Sequence, residues 1–456
     1  MDRLQRAIFT ELTEGLPIPP MAGRKGPDLA GAGFAESEWA FSGQAVSYDA
    51  AATPGDGCFE LTEADSAPFA TRVLVRRPEP EAFSGVVLVE WLNVSGGQDA
   101  APDYTYLAEE ILRAGHAWVG VSAQFIAVEG GDAAVGLGGQ TAGLRHQGPD
   151  RYGDLYHPGD AYSYDIVTQV GTYARDPLGR GPLADLRAES VIAVGESQSA
   201  FALTSYVNGV HPLAAVFDAF LLHSRGAGYL PFDDRGRASS IVSALGLGPA
   251  RLREDVGVPV MVVQAEGDLI GRIASLPARQ ADSEHIVTWE IASQGHADLY
   301  QLGEFAQFVD CHGPINSGQQ VFVMRAALRH LVAWGAEGAR PPAAPPVEID
   351  DDDNVVTDQL GNGRGGVRTP VVEAAVEQLT GVPHPEAQPL CMLLGRTVEL
   401  DEQTLRQRWP GGQQSGREQY LEAYGEATDR LISEGFLLAE DREEILADAR
   451  PERLTW

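Results

Sequence analysis

Three segments, far apart in the chain, carry residue types that together can break an acyl bond. In VIAVGESQSA (191–200) an apolar run enters Gly195-Glu196-Ser197-Gln198-Ser199, after which the sequence permits a helix. In VPVMVVQAEGDLI (258–270) an apolar run ends in Glu266 and Asp268, and in HIVTWEIASQGHADLY (285–300) another leads to His296. A serine hydroxyl is a weak nucleophile, so it needs a base, a group that orients the base, and donors for the oxyanion that forms. A tight strand-turn-helix at Ser197 would lift its oxygen above a sheet and aim the Gln198 N–H at that oxyanion. Gly195 provides one of the two small residues such a turn needs, and Ser199 stands where a second glycine is usual. The order serine, acid, histidine, each at a strand end, makes His296 the base and leaves its orienting acid to Asp268 or to Glu266, which sits nearer the strand. His223, in FLLHSRG, also ends a strand but precedes the acid segment. The second oxyanion donor is expected in the loop where the strand of VVLVEWLNVSGG (86–97) ends, at the Leu92 N–H, with Trp91 and Asn93 the neighbouring choices and Gly96 and Gly97 free to turn the backbone.

Residues like these act together only if a rigid scaffold collects the strand ends. The runs TRVLVRR, GVVLVEWL, HAWVGVSA, SVIAVG, AAVFDAFLL, VPVMVVQA and HIVTWEIA are nearly continuous in apolar residues, as strands covered on both faces are. Helical patterns separate them. In AYSYDIVTQVGTYAR, Tyr162, Ile166, Val170 and Tyr173 recur at helical spacing. The alternation predicts an α/β fold with a mostly parallel central sheet and helices on both faces. Residues 1–70 read as an N-terminal arm with first antiparallel strands, and 71–338 as the core. Gly- and Asp-rich stretches at about 124–159 and 226–257 follow strands and read as lid loops. Residues 339–354, ARPPAAPPVEIDDDDN, have the composition of a stiff, solvated linker. Residues 355–456 read as a C-terminal extension folded onto the core, because Tyr420, Tyr424, Ala427 and Leu431 share one helical face and Gly435 can cap it.

Composition narrows the partners. The 456-residue chain has 65 acids against 33 bases, a formal charge of -32, which repels nucleic acid and anionic membrane and mildly favours neutral or cationic substrates. No apolar run approaches a membrane-spanning length, and the first twenty residues lack a signal peptide's apolar stretch, so a cytoplasmic protein is expected. Cys58, Cys311 and Cys391 are distant and odd in number; the expectation is buried thiols rather than a disulfide framework. GNGRGG (361–366) has the spacing of a dinucleotide fingerprint, yet it follows a linker and opens no helix, and Arg368 stands where a phosphate loop requires lysine. No ligand spacing suggests a metal, so neither metal nor cofactor is expected. Arg225, at a strand end, is a candidate for a substrate carboxylate but more often such a residue pairs with a local acid.

Taken together, EWLNVSGG, GESQSA, the HSRG strand end, VVQAEGD, GHAD and the late stretch GNGRGGVRTP resemble the large α/β-hydrolase-domain family. The likeness runs from about residue 70 to the C-terminus, and in that family GxSxS is usual. The acid strand is also similar to that of hormone-sensitive-lipase-like esterases, where the aspartate of an AE-x-D turn is used, which favours Asp268. The resemblance implies a serine-hydrolase fold with its triad and says little about the substrate. The expectation is therefore an ester hydrolase acting on a small to medium neutral molecule. An acyltransferase with the same residues and a non-catalytic binding protein on the same fold are the alternatives. The sequence gives no oligomeric state.

Overall fold

The computed structural model describes residues 7–52, 57–135 and 140–456. The chain opens with β1 (Ile8–Glu11), two long strands β2 (Phe34–Ala50) and β3 (Leu61–Pro78), then β4 (Val86–Trp91) and β5 (Ala117–Val121). A short hairpin pairs β6 (Gly130–Asp132) with β7 (Gln140–Ala142). The core continues with β8 (Ser190–Glu196), β9 (Ala219–His223), β10 (Val260–Ala265) and β11 (Ile286–Ile291), and β12 (Glu377–Thr380) pairs with β13 (Arg396–Glu399) near the end. Nine strands form one sheet in the order β1-β2-β3-β5-β4-β8-β9-β10-β11. Pairing is antiparallel as far as β5 and parallel from there on. The α/β, mostly parallel architecture expected from the apolar runs is the one observed.

Parallel strands need helical crossovers, and these cover both faces. On one face α2 (Ser163–Arg175) buries Ile166, Val170 and Tyr173 beside Val89, Ala193 and Leu222. On the other, α1 (Pro102–Ala114) and α4 (Gln320–Glu337) bury Leu107, Ile111, Leu328 and Leu331 against Leu88, Ile192 and Val263. Pro102 begins α1 where a missing N–H costs nothing, and Gly115 ends it at φ 70°, its N–H donating to Ile111 O. α5 (Gly412–Glu434) adds Tyr420, Tyr424 and Leu431 to this second core, and Gly435 caps it at φ 87°. Among the described residues no helix is long and apolar enough to cross a membrane.

Three expectations are revised. The arm does not end at residue 70: β3 runs through that point, paired with β2 on one side and β5 on the other. The 339–354 segment is mostly exposed but is tied to the core rather than free: Pro341 and Val347 are buried, and the Val347 N–H donates to Glu290 Oε2 at 2.8 Å. Cys311 and Cys391 form a disulfide, with Cα atoms 5.3 Å apart across 80 residues. It sits among Ala297, Ile315 and Leu394 and ties the segment after His296 to the C-terminal extension. A bond closing so long a loop restricts the unfolded chain, so Cys311→Ser/Cys391→Ser loses about 2–4 kcal/mol of stability. Chemical denaturation of this variant and wild type, each with and without reductant, checks this: reductant shifts only wild type. A disulfide of this kind persists best in an oxidising compartment.

Candidate active site

β8 delivers Ser197 at its C-terminal end, and α3 (Gln198–Ser205) starts at the next residue. Ser197 lies at φ 56°, ψ -120°, a conformation that costs a residue with a Cβ about 1–3 kcal/mol. The surroundings hold it there: its N–H donates to His223 O at 3.0 Å, the end of the adjacent strand. A Cβ at Gly195 would lie 3.0 Å from both Leu203 Cδ1 and Ser199 Cβ, which is why the turn needs a glycine there. Ser199 fits because it is small. It is fully buried, and its hydroxyl has no partner among the described residues.

The structure brings Ser197, His296 and Asp268 together across three strand ends. His296 Nε2 is 2.9 Å from Ser197 Oγ, and His296 Nδ1 is 2.5 Å from Asp268 Oδ1. The second oxygen of Asp268 accepts the Ala265 N–H at 2.6 Å, so the carboxylate is fixed toward the imidazole. All of His296 and Asp268 is buried to within a few per cent. Burial alone would lower the imidazole's affinity for a proton; the Asp268 carboxylate, with Glu196 behind it, reverses the sign and raises it above the ordinary 6.5.

Glu196 belongs to this arrangement although the sequence reading gave it no role. Its Oε1 lies 3.5 Å from His296 Nε2, and it is buried. Burial pushes it up to about 7, against the pull of His296 and His223. Asn93 holds it, donating from Nδ2 to Glu196 O at 3.0 Å and to Oε2 at 3.3 Å.

Glu266, the alternative acid, does other work. Its Oε2 accepts the Ser293 N–H at 2.7 Å, and its Oε1 accepts from Thr380 Oγ1 at 3.0 Å and from the Gly381 N–H at 2.9 Å. It thereby clamps the acid turn, the histidine turn and the C-terminal extension to one another. The GNGRGG stretch packs against the same point: a Cβ on Gly363 would lie 2.3 Å from Glu266 Oε2, and its N–H donates to Ser293 Oγ at 2.8 Å. The glycines are there for close backbone approach, not for phosphate. His223 lies beneath the elbow with Nδ1 3.0 Å from Asp103 Oδ1, and burial lowers its proton affinity. Asp298 caps the helix Leu299–Leu302 and accepts from Tyr106 Oη at 3.0 Å, tying the histidine turn to α1.

The oxyanion side needs one correction. The Leu92 N–H donates to Val121 O at 3.1 Å, continuing the β4–β5 ladder one residue past the strand, and Leu92 is fully buried. It has no proton to offer the site. The Asn93 N–H is likewise engaged, by Ala100 O at 2.9 Å. The Gln198 N–H opens α3, where a helix leaves its first donors without an internal acceptor. The loop after β4 is pinned from below by Arg72, whose buried guanidinium holds Asp99 at 2.5 Å and Glu38 at 3.1 Å. A cleft of about 220 Å³ opens over Ser197 and His296. Both expected lid stretches reach it, through Ala134 and Val135 and through Ile241 and Leu245, and the extension adds Leu390, Leu393 and Leu394. Arg225 does not line it; its Nε donates to Gly226 O at 3.1 Å, its Nη2 bonds Ala250 O, and it pairs with no acid among the described residues.

No curated protein matches the chain. Among solved structures it is similar to fungal esterases from Rhizomucor miehei, with 12% identity over 65% of this chain and 85% of that one and a TM-score of 0.33. It is also similar to a thermostable esterase from Pseudomonas putida ECU1011, with 10% identity over 58% and 74% and a TM-score of 0.30. The family model described as an alpha/beta hydrolase domain matches residues 8–447. With that match running over nearly the whole length, the chain belongs to the alpha/beta hydrolase domain family.

Proposed function

We propose that the protein is a serine hydrolase that cleaves a carboxylic ester of a small molecule through an acyl-enzyme. The observation that carries this reading is the unbroken chain Asp268–His296–Ser197 at the floor of a largely apolar cleft. His296 Nε2 takes the Ser197 proton as Oγ attacks the ester carbonyl, and Asp268 holds the ring and stabilises its charged form. The Gln198 N–H meets the oxyanion, with a further donor drawn from Ser95 and Gly96, which border the cleft just past the engaged Asn93. His296 returns the proton to the leaving alcohol, then activates the water that releases the acid. A panel of 4-nitrophenyl esters, with products analysed with and without added alcohol, tests the reading. Acid as the main product supports hydrolysis, a new ester marks acyl transfer, and no turnover of any ester removes the proposal.

Catalysis requires neutral His296, so kcat/KM falls as pH drops through a value above the ordinary 6.5 of an imidazole. Glu196, 3.5 Å away, favours the charged ring whenever it is itself ionised, that is, above about 7. Glu196→Gln therefore moves the acid limb of the kcat/KM profile to lower pH. A limb that stays in place contradicts the coupling.

A further inference from the structure

We propose that Arg272 receives a carboxylate carried by the substrate away from its scissile ester, so that the preferred substrates are half-esters or other esters ending in an acid group. The inference rests on the ester-hydrolase reading and names the substrate class for that site. Among the described residues lining the cleft, Arg272 is the one arginine or lysine, amid walls that are mainly aliphatic. It is half-buried. Its Nη1 donates to Pro389 O at 3.3 Å and its Nη2 to Ala134 O at 3.4 Å, both long for a charged donor, whose good bonds run about 2.7–2.9 Å.

No carboxylate among the described residues lies within ion-pair distance of Arg272, although the chain has 65 acids for 33 bases. Its neighbour in the acid-strand region, Arg279, shows the ordinary outcome, with Nε 2.7 Å from Glu290. An arginine left on two weak carbonyl contacts retains the planar fork that matches a carboxylate bidentately. Ala134 itself lines the cleft, and so do Val135 and Leu390, the residues next to the two carbonyls, so these contacts hold the guanidinium at the cleft wall. The net charge of -32 repels an anion at long range. A cation at the cleft is what allows an acidic substrate to bind, and apolar walls strengthen that attraction. This refines the expectation of a neutral substrate.

The test compares 4-nitrophenyl hemiglutarate with its neutral isostere 4-nitrophenyl 5-methylhexanoate. A second pair, the butyrate ester of 4-hydroxybutanoate and pentyl butyrate, carries the acid on the alcohol side instead. In wild type one acid-bearing member exceeds its neutral partner in kcat/KM, and the pair that does so tells which side of the ester lies toward Arg272. Arg272→Gln lowers that acid-to-neutral ratio by about 10–100-fold, the value of one charged hydrogen-bonded contact, mostly through KM. Arg272→Lys retains part of it, and salt weakens the wild-type preference. Labelling of Ser197 by a neutral fluorophosphonate reports whether each variant is folded with its nucleophile intact. Neutral esters preferred by wild type in both pairs, or a ratio unmoved in Arg272→Gln, overturn the inference alone. No ester turned over and Ser197 unlabelled overturn the hydrolase reading, and this inference with it.

Discussion

Ser197→Ala lowers kcat by about six orders of magnitude, to the level at which no member of the triad contributes. Among the described residues Ser197 Oγ is the hydroxyl hydrogen-bonded to His296 Nε2, at 2.9 Å, and alanine removes the atom proposed to form the acyl-enzyme. The fold does not depend on that oxygen. The turn is held by the Ser197 N–H on His223 O and by the close packing of Gly195 on Leu203 and Ser199, all of which alanine keeps. Alanine also keeps the backbone strain of φ 56°, whereas Ser197→Gly relieves it and melts at a higher temperature while remaining just as inactive. Stopped assays on concentrated enzyme give the rate, and thermal melts of the two variants separate chemistry from stability.

Asp268→Asn lowers kcat by about four orders of magnitude with little change in KM. An asparagine at this place turns an amide donor or a weaker acceptor toward Nδ1, so the ring loses the tautomer that leaves Nε2 free to take the serine proton. The imidazolium also loses the carboxylate 2.5 Å away that stabilises it. Glu266→Gln is the informative comparison, because both acids end the same strand. All three groups on Glu266, the Ser293 N–H, Thr380 Oγ1 and the Gly381 N–H, point donors at it. A glutamine must turn its NH₂ on at least one of them, which costs about 1–3 kcal/mol of stability. Its effect on kcat is far smaller than that of Asp268→Asn. Equal losses of rate in the two variants contradict the division of labour between these carboxylates.

The parts of this arrangement that the sequence made legible are those that local pattern encodes. Apolar runs followed by polar turns marked β8, β10 and β11, and the order of Ser197, Asp268 and His296 followed from strand ends. Helical spacing marked the buried faces of α2 and α5, with Gly435 where a left-handed cap is needed. What stayed hidden depends on contacts between distant segments. The AE-x-D likeness favours Asp268, but the separate work of Glu266 shows only when Thr380 and Gly381, more than a hundred residues on, are folded onto it. Cys311 and Cys391 are 80 residues apart, and nothing short of tertiary structure puts them at bonding distance. Leu92 reads as a free donor in a loop, but its N–H makes one more bond to β5, which occupies it. Glu196 read as a turn residue, and only burial beside His296 gives it a charge that titrates near neutrality.

Intact mass of the folded protein after exposure to a fluorophosphonate probe, run in parallel on Ser197→Ala, tests whether Ser197 is an activated nucleophile. One adduct on wild type, blocked by prior reaction with an ester-like inhibitor, and none on the variant is the expected result. An adduct that persists in Ser197→Ala places the reactive hydroxyl elsewhere, and no adduct on well-folded wild type contradicts an activated serine in this cleft.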